Sequence, residues 1–303
     1  MSISFHPPAL QDRSAAFAAA NRSGALENDA AFANLYLLRN KYGTELAFCG
    51  EWMLRRYQKG NRAGCFGFPL GGSENFREII DSLRREAEMQ NMPFRFTLLT
   101  KRQCEQLESE FPGCFSFEPM PEYTEYLYRR DALAELRGSR YHGKRNHISQ
   151  FWRAWPDACI QPLIAENAEY AVKIAERWLL SRNNPADYSL QFEFSCIQEA
   201  AACWEALALH GLLLYADEKP VGMSIVSEIS EGVWDVHFEK VIPEQPHAWP
   251  VVVNETAKCL NSVEYLNREE DLGEDGMRSS KQSYHPDLLN EKYTAQWCRK
   301  ETV

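Results

Sequence analysis

The sequence has no two cysteines separated by just two residues, although it contains nine cysteines. Their odd number and scattered positions indicate reduced thiols rather than a disulfide framework or a zinc-binding knuckle. Long apolar runs are also missing, since residues 212–216 form one of the longest and are far too few to cross a bilayer. The first residues lack the basic and apolar stretches of a secretion signal. We therefore expect a cytoplasmic protein that is not inserted into a membrane.

An excess of positive charge is absent as well, because the net charge is -10 and the pI is near 5.3. This balance argues against a general coat for nucleic acid or an anionic membrane, and we expect no DNA partner. A local basic patch could still hold an anionic ligand, so a charged tRNA stays open as a partner. The sequence also lacks a Gly-rich phosphate loop, a nucleophile elbow and a zinc signature.

The sequence does contain enough apolar material for a large core. Its 303 residues are 45% hydrophobic and 12% aromatic, and this length favours two domains. Periodicity predicts the same order in each half: helix, helix, three strands, helix, strand. This is the element order of an acyl-CoA N-acyltransferase (GNAT) domain. We predict an α+β fold of two tandem GNAT-like domains, each a mixed sheet flanked by helices, over residues 1–136 and 137–303.

Capping residues predict where three of the helices begin. Ser73 is a candidate N-cap for a helix that continues to residue 90. Two further starts have the spacing of a capping box, in which an N-cap hydroxyl and a glutamine three residues later bond to each other's backbone. These boxes are Thr100 with Gln103 and Ser195 with Gln198.

A basic segment joins the two halves. Residues 129–145 contain six basic and two acidic side chains in an otherwise acidic chain. Tyr141 and, beyond it, Ile148, Trp152 and Trp155 can share one helical face, which predicts a basic helix between the domains that continues past residue 145. Its cationic and polar side chains are of the kind that hold phosphate or carboxylate groups. The candidates are Arg140, Lys144, Arg145, Asn146 and His147. An exposed basic helix face is the alternative.

The predicted strand over residues 234–240 alternates strictly between apolar and polar side chains. Trp234, Val236 and Phe238 would lie on one face. The polar face would hold Asp235, His237 and Glu239. That face is either a solvated sheet edge or a cleft wall carrying a general base. We expect no metal site, because three ligands along one extended strand are too far apart to converge easily.

A charged cluster follows the next predicted strand, over residues 263–266. In a GNAT-type sheet this strand runs parallel to residues 234–240 and splays away from it, so Glu239 and Asn267 would face one opening. Glu239 is our candidate base, and Asn267 and Arg268 are candidate contacts for the carbonyl and oxyanion. His285 is a further catalytic candidate. The remaining binding candidates are His237, Glu269, Glu270, Asp271, Lys281 and Tyr284. Internal ion pairs of Arg268 with Glu270, or of Glu269 with Lys281, are the alternative.

One loop is a candidate for binding an anion, and its counterpart in the second half is not. Gly71 and Gly72 lie between a predicted strand and a helix, where free backbone N–H groups could cradle an anion, although a tight turn explains them better. The matching loop of the second half, residues 241–250, has three prolines and no glycine. Since proline has no N–H group to donate, this loop disfavours ordinary acetyl-CoA as the donor.

Four motifs in this order resemble the soluble branch of the phosphatidylglycerol lysyltransferase C-terminal domain family. They lie at residues 141–148, 237–240, 265–273 and 281–286, and the similarity runs from residue 5 to residue 293. The resemblance implies tandem GNAT-like domains related in fold to the Fem-type transferases that use aminoacyl-tRNA. For the membrane-bound members it implies transfer of a lysyl group from tRNA to a lipid hydroxyl.

Together these features predict an acyl- or aminoacyl-transferase that moves an activated acyl group to an amine or hydroxyl acceptor. The acceptor would be a small molecule, a lipid or a peptide. Aminoacyl-tRNA or acyl-CoA would serve as co-substrate, and no other cofactor is implied. The alternative is a non-catalytic GNAT-like module that binds an anionic metabolite or peptide in the same cleft.

Overall fold

A computed structural model describes residues 3–298 of the chain. In the first part of the chain, the helices are α1 (Arg13–Arg22), α2 (Phe32–Leu37), α3 (Arg39–Tyr42), α4 (Phe76–Met89), α5 (Lys101–Glu110) and α6 (Arg130–Glu135). The strands are β1 (Thr44–Cys49), β2 (Trp52–Tyr57), β3 (Cys65–Leu70), β4 (Arg95–Thr100), β5 (Phe115–Pro119) and β6 (Glu125–Arg129).

The second part of the chain continues with five helices in the described residues. These are α7 (His142–Ala154), α8 (Glu169–Leu180), α9 (Tyr188–Ala202), α10 (Trp249–Cys259) and α11 (Asp275–Gln282). The strands are β7 (Cys159–Pro162), β8 (His210–Ala216), β9 (Lys219–Ser230), β10 (Val233–Val241), β11 (Tyr265–Glu270), β12 (Leu288–Asn290) and β13 (Lys292–Trp297).

These strands form two mixed sheets flanked by helices, which confirms the predicted α+β class. The first sheet has the order β1-β2-β3-β4-β13-β5, and the second has the order β12-β6-β11-β10-β9-β8-β7. Strands β3 and β4 pair in parallel in the first sheet, as β10 and β11 do in the second. No helix within residues 3–298 is long and apolar enough to cross a membrane.

The two sheets exchange strands. Strand β6 lies in the second sheet although it precedes residue 136, and β13 lies in the first sheet although it comes near the end of the chain. The division into residues 1–136 and 137–303 stays a prediction. In the structure, strand pairing connects these two parts of the chain. A buried ion pair accompanies the exchange, because Lys292 of β13 lies 2.8 Å from Glu125 of β6.

Two of the three predicted helix starts differ from the structure. Thr100 and Gln103 form the expected capping box. The helix expected from Ser73 begins at Phe76, after Asn75 in a left-handed conformation. Ser195 lies inside α9, which begins earlier because the Asp187 side chain accepts from two backbone N–H groups. Asp187 caps the first turn through these bonds, whereas the Ser195 hydroxyl donates to the Phe192 carbonyl within the helix.

Candidate functional site

Strands β10 and β11 separate after three paired residues. The parallel pairing joins Val233–Asp235 to Tyr265–Asn267, whereas β10 continues to Val241 and β11 to Glu270. The predicted parallel pairing is therefore confirmed. Beyond residues 235 and 267 the two strands leave a gap in the second sheet, and charged side chains of both strands lie at this gap.

A bulge at His237 breaks the alternation of β10. Val236 pairs with Val226 and Phe238 with Ile225, so one extra residue stands on β10 between neighbouring partners on β9. Val236 and Phe238 consequently lie on opposite faces, and their predicted common face is wrong. A solvated sheet edge is also wrong, because β10 lies between β9 and β11.

The bulge distributes the polar side chains of β10 over the two faces of the sheet. Glu239 is in register with Ser224 and Asp235 with Ser227, so these two carboxylates lie on opposite faces. We call the side of Glu239 the helix face, since Leu133 of α6 and Val253 of α10 pack there with Val236. The side of Asp235 is called the opposite face.

On the helix face, Arg268 forms a buried ion pair with Glu239. Its Nη2 and Nε atoms donate to Oε2 of Glu239 at 2.6 and 3.1 Å. The two side chains are 9% and 10% exposed. Burial by itself lowers the pKa of Arg268, but the Glu239 carboxylate raises it, and the net shift is upward. Arg268 therefore stays charged and pairs with Glu239 rather than with Glu270.

Aromatic rings surround this ion pair. The Arg268 guanidinium lies 5.0 Å from the ring centre of Tyr284 and 5.7 Å from that of Tyr128. Burial raises the pKa of both hydroxyls, so both tyrosines stay neutral near pH 7. Neutral aromatic walls exclude water around the charges, which strengthens their interaction with any polar group that enters.

Lys144, from the first turn of α7, adds a second cation. Its Nζ donates to Ser283 Oγ at 2.6 Å and lies 3.9 Å from the ring centre of Tyr284. Burial and the nearby Arg268 lower the pKa of Lys144 to about 8. Lys144 and Arg268 thus bring two cations to the Tyr284 ring, which suits this face to an anionic or carbonyl-bearing ligand.

The other candidates of the basic segment lie apart from Arg268. Arg145 donates to the backbone carbonyls of Leu136 and Gly138 at the end of α6. The exposed members contact other neighbours: Arg140 lies over the Tyr141 ring, Asn146 bonds to His142, and the His147 ring lies 5.4 Å from the His247 ring between centres. Of the predicted anion contacts, Lys144 is the one that the structure brings to Arg268.

Tyr141 links the start of α7 to the motif around Tyr284. Its hydroxyl donates to the Tyr284 carbonyl at 3.0 Å, and its ring meets the edge of His285 at 5.5 Å between centres. His285 itself is exposed and has a positive φ of 53°. This contact positions Lys144 against Tyr284, while His285 lies at the surface.

On the opposite face, Asp235, His237 and Glu269 form a second cluster. His237 Nδ1 lies 3.1 Å from Asp235 Oδ2, and the two side chains are 2% and 0% exposed. Asn34 of α2 donates toward Asp235 and Glu269, each at 3.3 Å. Ser227 Oγ lies 2.7 Å from His237 Nε2.

Burial controls the protonation of this second cluster. It raises the pKa of Asp235 and of Glu269 well above the ordinary range, and the neighbouring acidic groups raise both further. Burial lowers the pKa of His237 to about 4, so the ring is neutral near pH 7. Lys281 lowers both carboxyl pKa values in part, but burial and the acidic neighbours prevail, and carboxyl groups perturbed in this way often mark a functional site.

Lys281 lies between the two clusters. Its Nζ donates to the backbone carbonyl of Glu270. Burial lowers its pKa, against the opposing influence of Glu269 and Glu270. The Glu270 carboxylate accepts from Asn28 at 2.9 Å. The adjacent Asp271 is held by Arg278 at 2.9 and 3.1 Å and by the Tyr126 hydroxyl at 2.6 Å.

Asn267 does not share an opening with Glu239, contrary to the expectation from the sequence. It is in register with Asp235 and therefore lies on the opposite face. Its amide donates to the Leu26 carbonyl at 2.8 Å and to Glu125 at 2.9 Å, and its oxygen accepts from the Glu269 backbone at 2.8 Å. Asn267 thus holds the end of β11 in place.

Sequence reasoning missed the contribution of residues 28–34 to this site. Asn28 and Asn34 are buried and reach Glu270, Asp235 and Glu269 from the first part of the chain. The signal was present for Asn34, which interrupts a run of alanine, phenylalanine and leucine, whereas Asn28 lies between Glu27 and Asp29. A buried amide in such a run needs hydrogen-bond partners, and these can lie far away in the sequence.

Side-chain contacts hold the Gly71–Gly72 loop in place. The Gly71 N–H group donates to Ser23 Oγ at 2.7 Å, and a Cβ atom on Gly72 would lie 2.2 Å from the Trp52 ring. These contacts favour the tight-turn interpretation. In the second half, Pro250 occupies the first turn of α10, where it removes one N–H group that a pyrophosphate would need.

Two mixed sheets flanked by helices, one of them split between parallel strands beside a buried Arg–Glu pair, have a fold of the tandem GNAT-like class. The chain belongs to the family described as "Phosphatidylglycerol lysyltransferase, C-terminal", whose model matches residues 21–296. No curated protein matches the chain.

Solved structures agree with this class. A protein of unknown function from Bacteroides thetaiotaomicron is 27% identical, with a TM-score of 0.93 over 98% of this chain and 100% of its own. The C-terminal domain of a putative lysylphosphatidylglycerol synthetase from Agrobacterium fabrum is 12% identical, with a TM-score of 0.66 over 95% and 92%. L-PGS from Bacillus licheniformis is 14% identical, with a TM-score of 0.62 over 90% and 88%. The last two similarities concern the fold.

Proposed function

We propose that this protein transfers an aminoacyl group from tRNA to an amine or hydroxyl acceptor. The observation that carries the proposal is the buried Arg268–Glu239 pair, with Lys144 beside it, where β10 and β11 separate. The family match and the putative lysylphosphatidylglycerol synthetase named among the similar structures support transfer of an aminoacyl group.

The geometry of the helix face suits the charges that develop in acyl transfer. The acceptor nitrogen or oxygen attacks the ester carbonyl, whose oxygen becomes negative and is stabilised by the Arg268 guanidinium. Glu239 takes the proton of the acceptor and later returns it to the tRNA ribose oxygen when the ester C–O bond breaks. Asn267 is held by other contacts, so Arg268 carries the oxyanion interaction in this proposal.

Lys144 has a separate role at the donor. Its ammonium group lies beside the aromatic ring of Tyr284, where it can pair with a phosphate of the tRNA end. Acyl-CoA is the alternative donor for a transfer of this kind. The three prolines of residues 241–250 favour the tRNA ester, because the pyrophosphate of CoA would find fewer backbone N–H groups there.

Parallel donor assays test the proposal. The full chain is incubated with a tRNA pool charged with labelled amino acids and, separately, with labelled acetyl-CoA. Each reaction contains a mixture of amines and phosphatidylglycerol vesicles as acceptors. We expect label to leave tRNA and enter an acceptor. Loss of label from acetyl-CoA alone would identify acyl-CoA as the donor. Loss of label from neither donor would support the non-catalytic binding module instead.

A further inference from the structure

The second cluster, on the opposite face of the sheet, brings three metal-binding residue types together. Asp235, His237 and Glu269 each offer one ligand atom, and these atoms all lie within 4.8 Å of one another. Three ligands along one straight strand would lie too far apart to bind the same ion. Instead the bulge lets His237 approach Asp235, and the third ligand comes from the neighbouring strand.

Two buried atoms of this cluster have no hydrogen-bond partner among the described residues. They are Oδ1 of Asp235 and Nδ1 of His237. Although Nδ1 lies 3.1 Å from Asp235 Oδ2, the two atoms do not form a hydrogen bond. Buried polar atoms are nearly always satisfied in folded proteins, so these two point to a missing ligand. Since carboxylate oxygen and unprotonated imidazole nitrogen both bind cations, the ligand is positively charged.

Neighbouring polar side chains hold the three groups in position, as hydrogen-bond partners commonly do for the ligands of a metal ion. Ser227 Oγ lies 2.7 Å from His237 Nε2, where it can accept that N–H group and leave Nδ1 unprotonated. The amide of Asn34 donates toward both carboxylates at 3.3 Å. Contacts of this kind fix the direction of each ligand before an ion arrives.

We propose that Asp235, His237 and Glu269 bind one divalent transition-metal ion of the Zn²⁺ type. One imidazole and two carboxylates favour such an ion over Mg²⁺ or Ca²⁺, which prefer oxygen ligands alone. Ligand atoms around a tetrahedral Zn²⁺ are about 3.3 Å apart. The His237 to Asp235 distance already matches this spacing, and rotation of the Glu269 side chain can bring in the third ligand. Three protein ligands leave one position open to water or a ligand.

This site is independent of the proposed acyl transfer, since it lies on the other face of the sheet and assigns no step to the ion. The rival cation is an ammonium group, for which the same carboxylates could serve. The imidazole nitrogen without a hydrogen-bond partner favours the metal ion, because it supplies a third strong ligand of the type that binds Zn²⁺.

Metal titration of the full chain tests the proposal. Protein freed of metal by a chelator is dialysed against Zn²⁺, Co²⁺ or Mg²⁺, and bound metal is counted by mass spectrometry. We expect one equivalent of Zn²⁺ or Co²⁺ and none of Mg²⁺. Bound Co²⁺ should show the intense visible absorption of a four-coordinate ion. Absence of stoichiometric binding would overturn the proposal, and binding of lysinamide without Zn²⁺ would assign the carboxylates to an ammonium group.

Matched variants locate the ion. We expect Glu269→Gln and His237→Gln each to weaken Zn²⁺ binding at least tenfold, and Ser227→Ala to weaken it by about tenfold through loss of ring orientation. Glu239→Gln and His147→Ala serve as controls on the helix face and at the surface, and binding should be unchanged in both. Circular dichroism confirms that each variant is folded. Unchanged binding in folded Glu269→Gln, or loss in His147→Ala, would contradict this site.

Discussion

Arg268 donates from two nitrogen atoms to a single oxygen of Glu239, at 2.6 and 3.1 Å. The second carboxylate oxygen, Oε1, is left out of this arrangement and can accept a proton from an incoming nucleophile. The cation that would stabilise an oxyanion is thus in contact with the group that would act as base. Substrate binding would place the carbonyl oxygen against Arg268 while Glu239 remains beside it.

Substituting Glu239→Gln should separate rate from affinity. The amide keeps the size of the side chain but cannot take a proton, so we expect the rate of transfer to fall by about 10²–10⁴-fold. Donor affinity should change far less, because Lys144 and Arg268 keep their charges. Single-turnover transfer from labelled aminoacyl-tRNA gives the rate, and titration with a non-hydrolysable analogue gives the affinity. A loss of affinity without a loss of rate would indicate a binding role for Glu239.

Lys144 predicts a pH-dependent affinity for the anionic donor. Its pKa is lowered to about 8, so the ammonium group is charged below that pH and becomes neutral above it. Affinity for a non-hydrolysable aminoacyl-nucleotide analogue should therefore fall between pH 7 and pH 9.5, by about tenfold. Lys144→Arg keeps its charge throughout this range and should show a flat profile. An equal slope in both proteins would exclude Lys144 as the contact.

The ion pair between Glu125 and Lys292 should be important for stability. Replacing Lys292 with methionine leaves the Glu125 carboxylate buried without its cation, and we expect a loss of about 3–5 kcal/mol in the free energy of unfolding. Urea denaturation measures the change. The matched control is Lys219→Met, at an exposed pair with Asp217, where about 0–1 kcal/mol is expected. Equal losses of unfolding free energy in the two variants would show that the Glu125–Lys292 pair between the exchanged strands contributes no more than an exposed ion pair.

Gly72 is expected to tolerate no larger side chain. A Cβ atom would lie 2.2 Å from the Trp52 ring, so Gly72→Ala must displace the indole and should lower the free energy of unfolding by about 1–3 kcal/mol. Gly143→Ala is the control, because a Cβ atom there meets no atom within 4 Å. Thermal denaturation of the two variants makes the comparison. A stable Gly72→Ala protein would show that this loop is free to move.

Local patterns were sufficient to predict the fold class but not the exchange of strands. Apolar periodicity predicted helices and strands in an order that the structure largely follows, and the Thr100 capping box was confirmed. The pairing of β13 with β4 and β5 depends on contacts across most of the chain, for which short-range patterns carry no signal. The last two strands were missed for this reason.

The candidate site was predictable by residue type more than by arrangement. Charged residues after a short strand drew attention to Arg268, and the predicted parallel strand placed Glu239 nearby, where the structure pairs the two. The bulge at His237 could not be foreseen, because the sequence keeps a strict alternation through it. That single extra residue moves Asp235 and Glu239 to opposite faces and divides the expected site into two clusters.

The most direct measurement is a crystal structure of the protein with a non-hydrolysable aminoacyl-adenosine phosphate analogue. We predict that its carbonyl oxygen lies within hydrogen-bond distance of Arg268, its amide nitrogen beside Glu239 and its phosphate beside Lys144, in the gap between β10 and β11. Binding elsewhere, for example in the hollow of about 690 Å³ lined by Trp52 and Glu78, would contradict the account. An intact Arg268–Glu239 pair with no analogue bound at saturating concentration would contradict it equally.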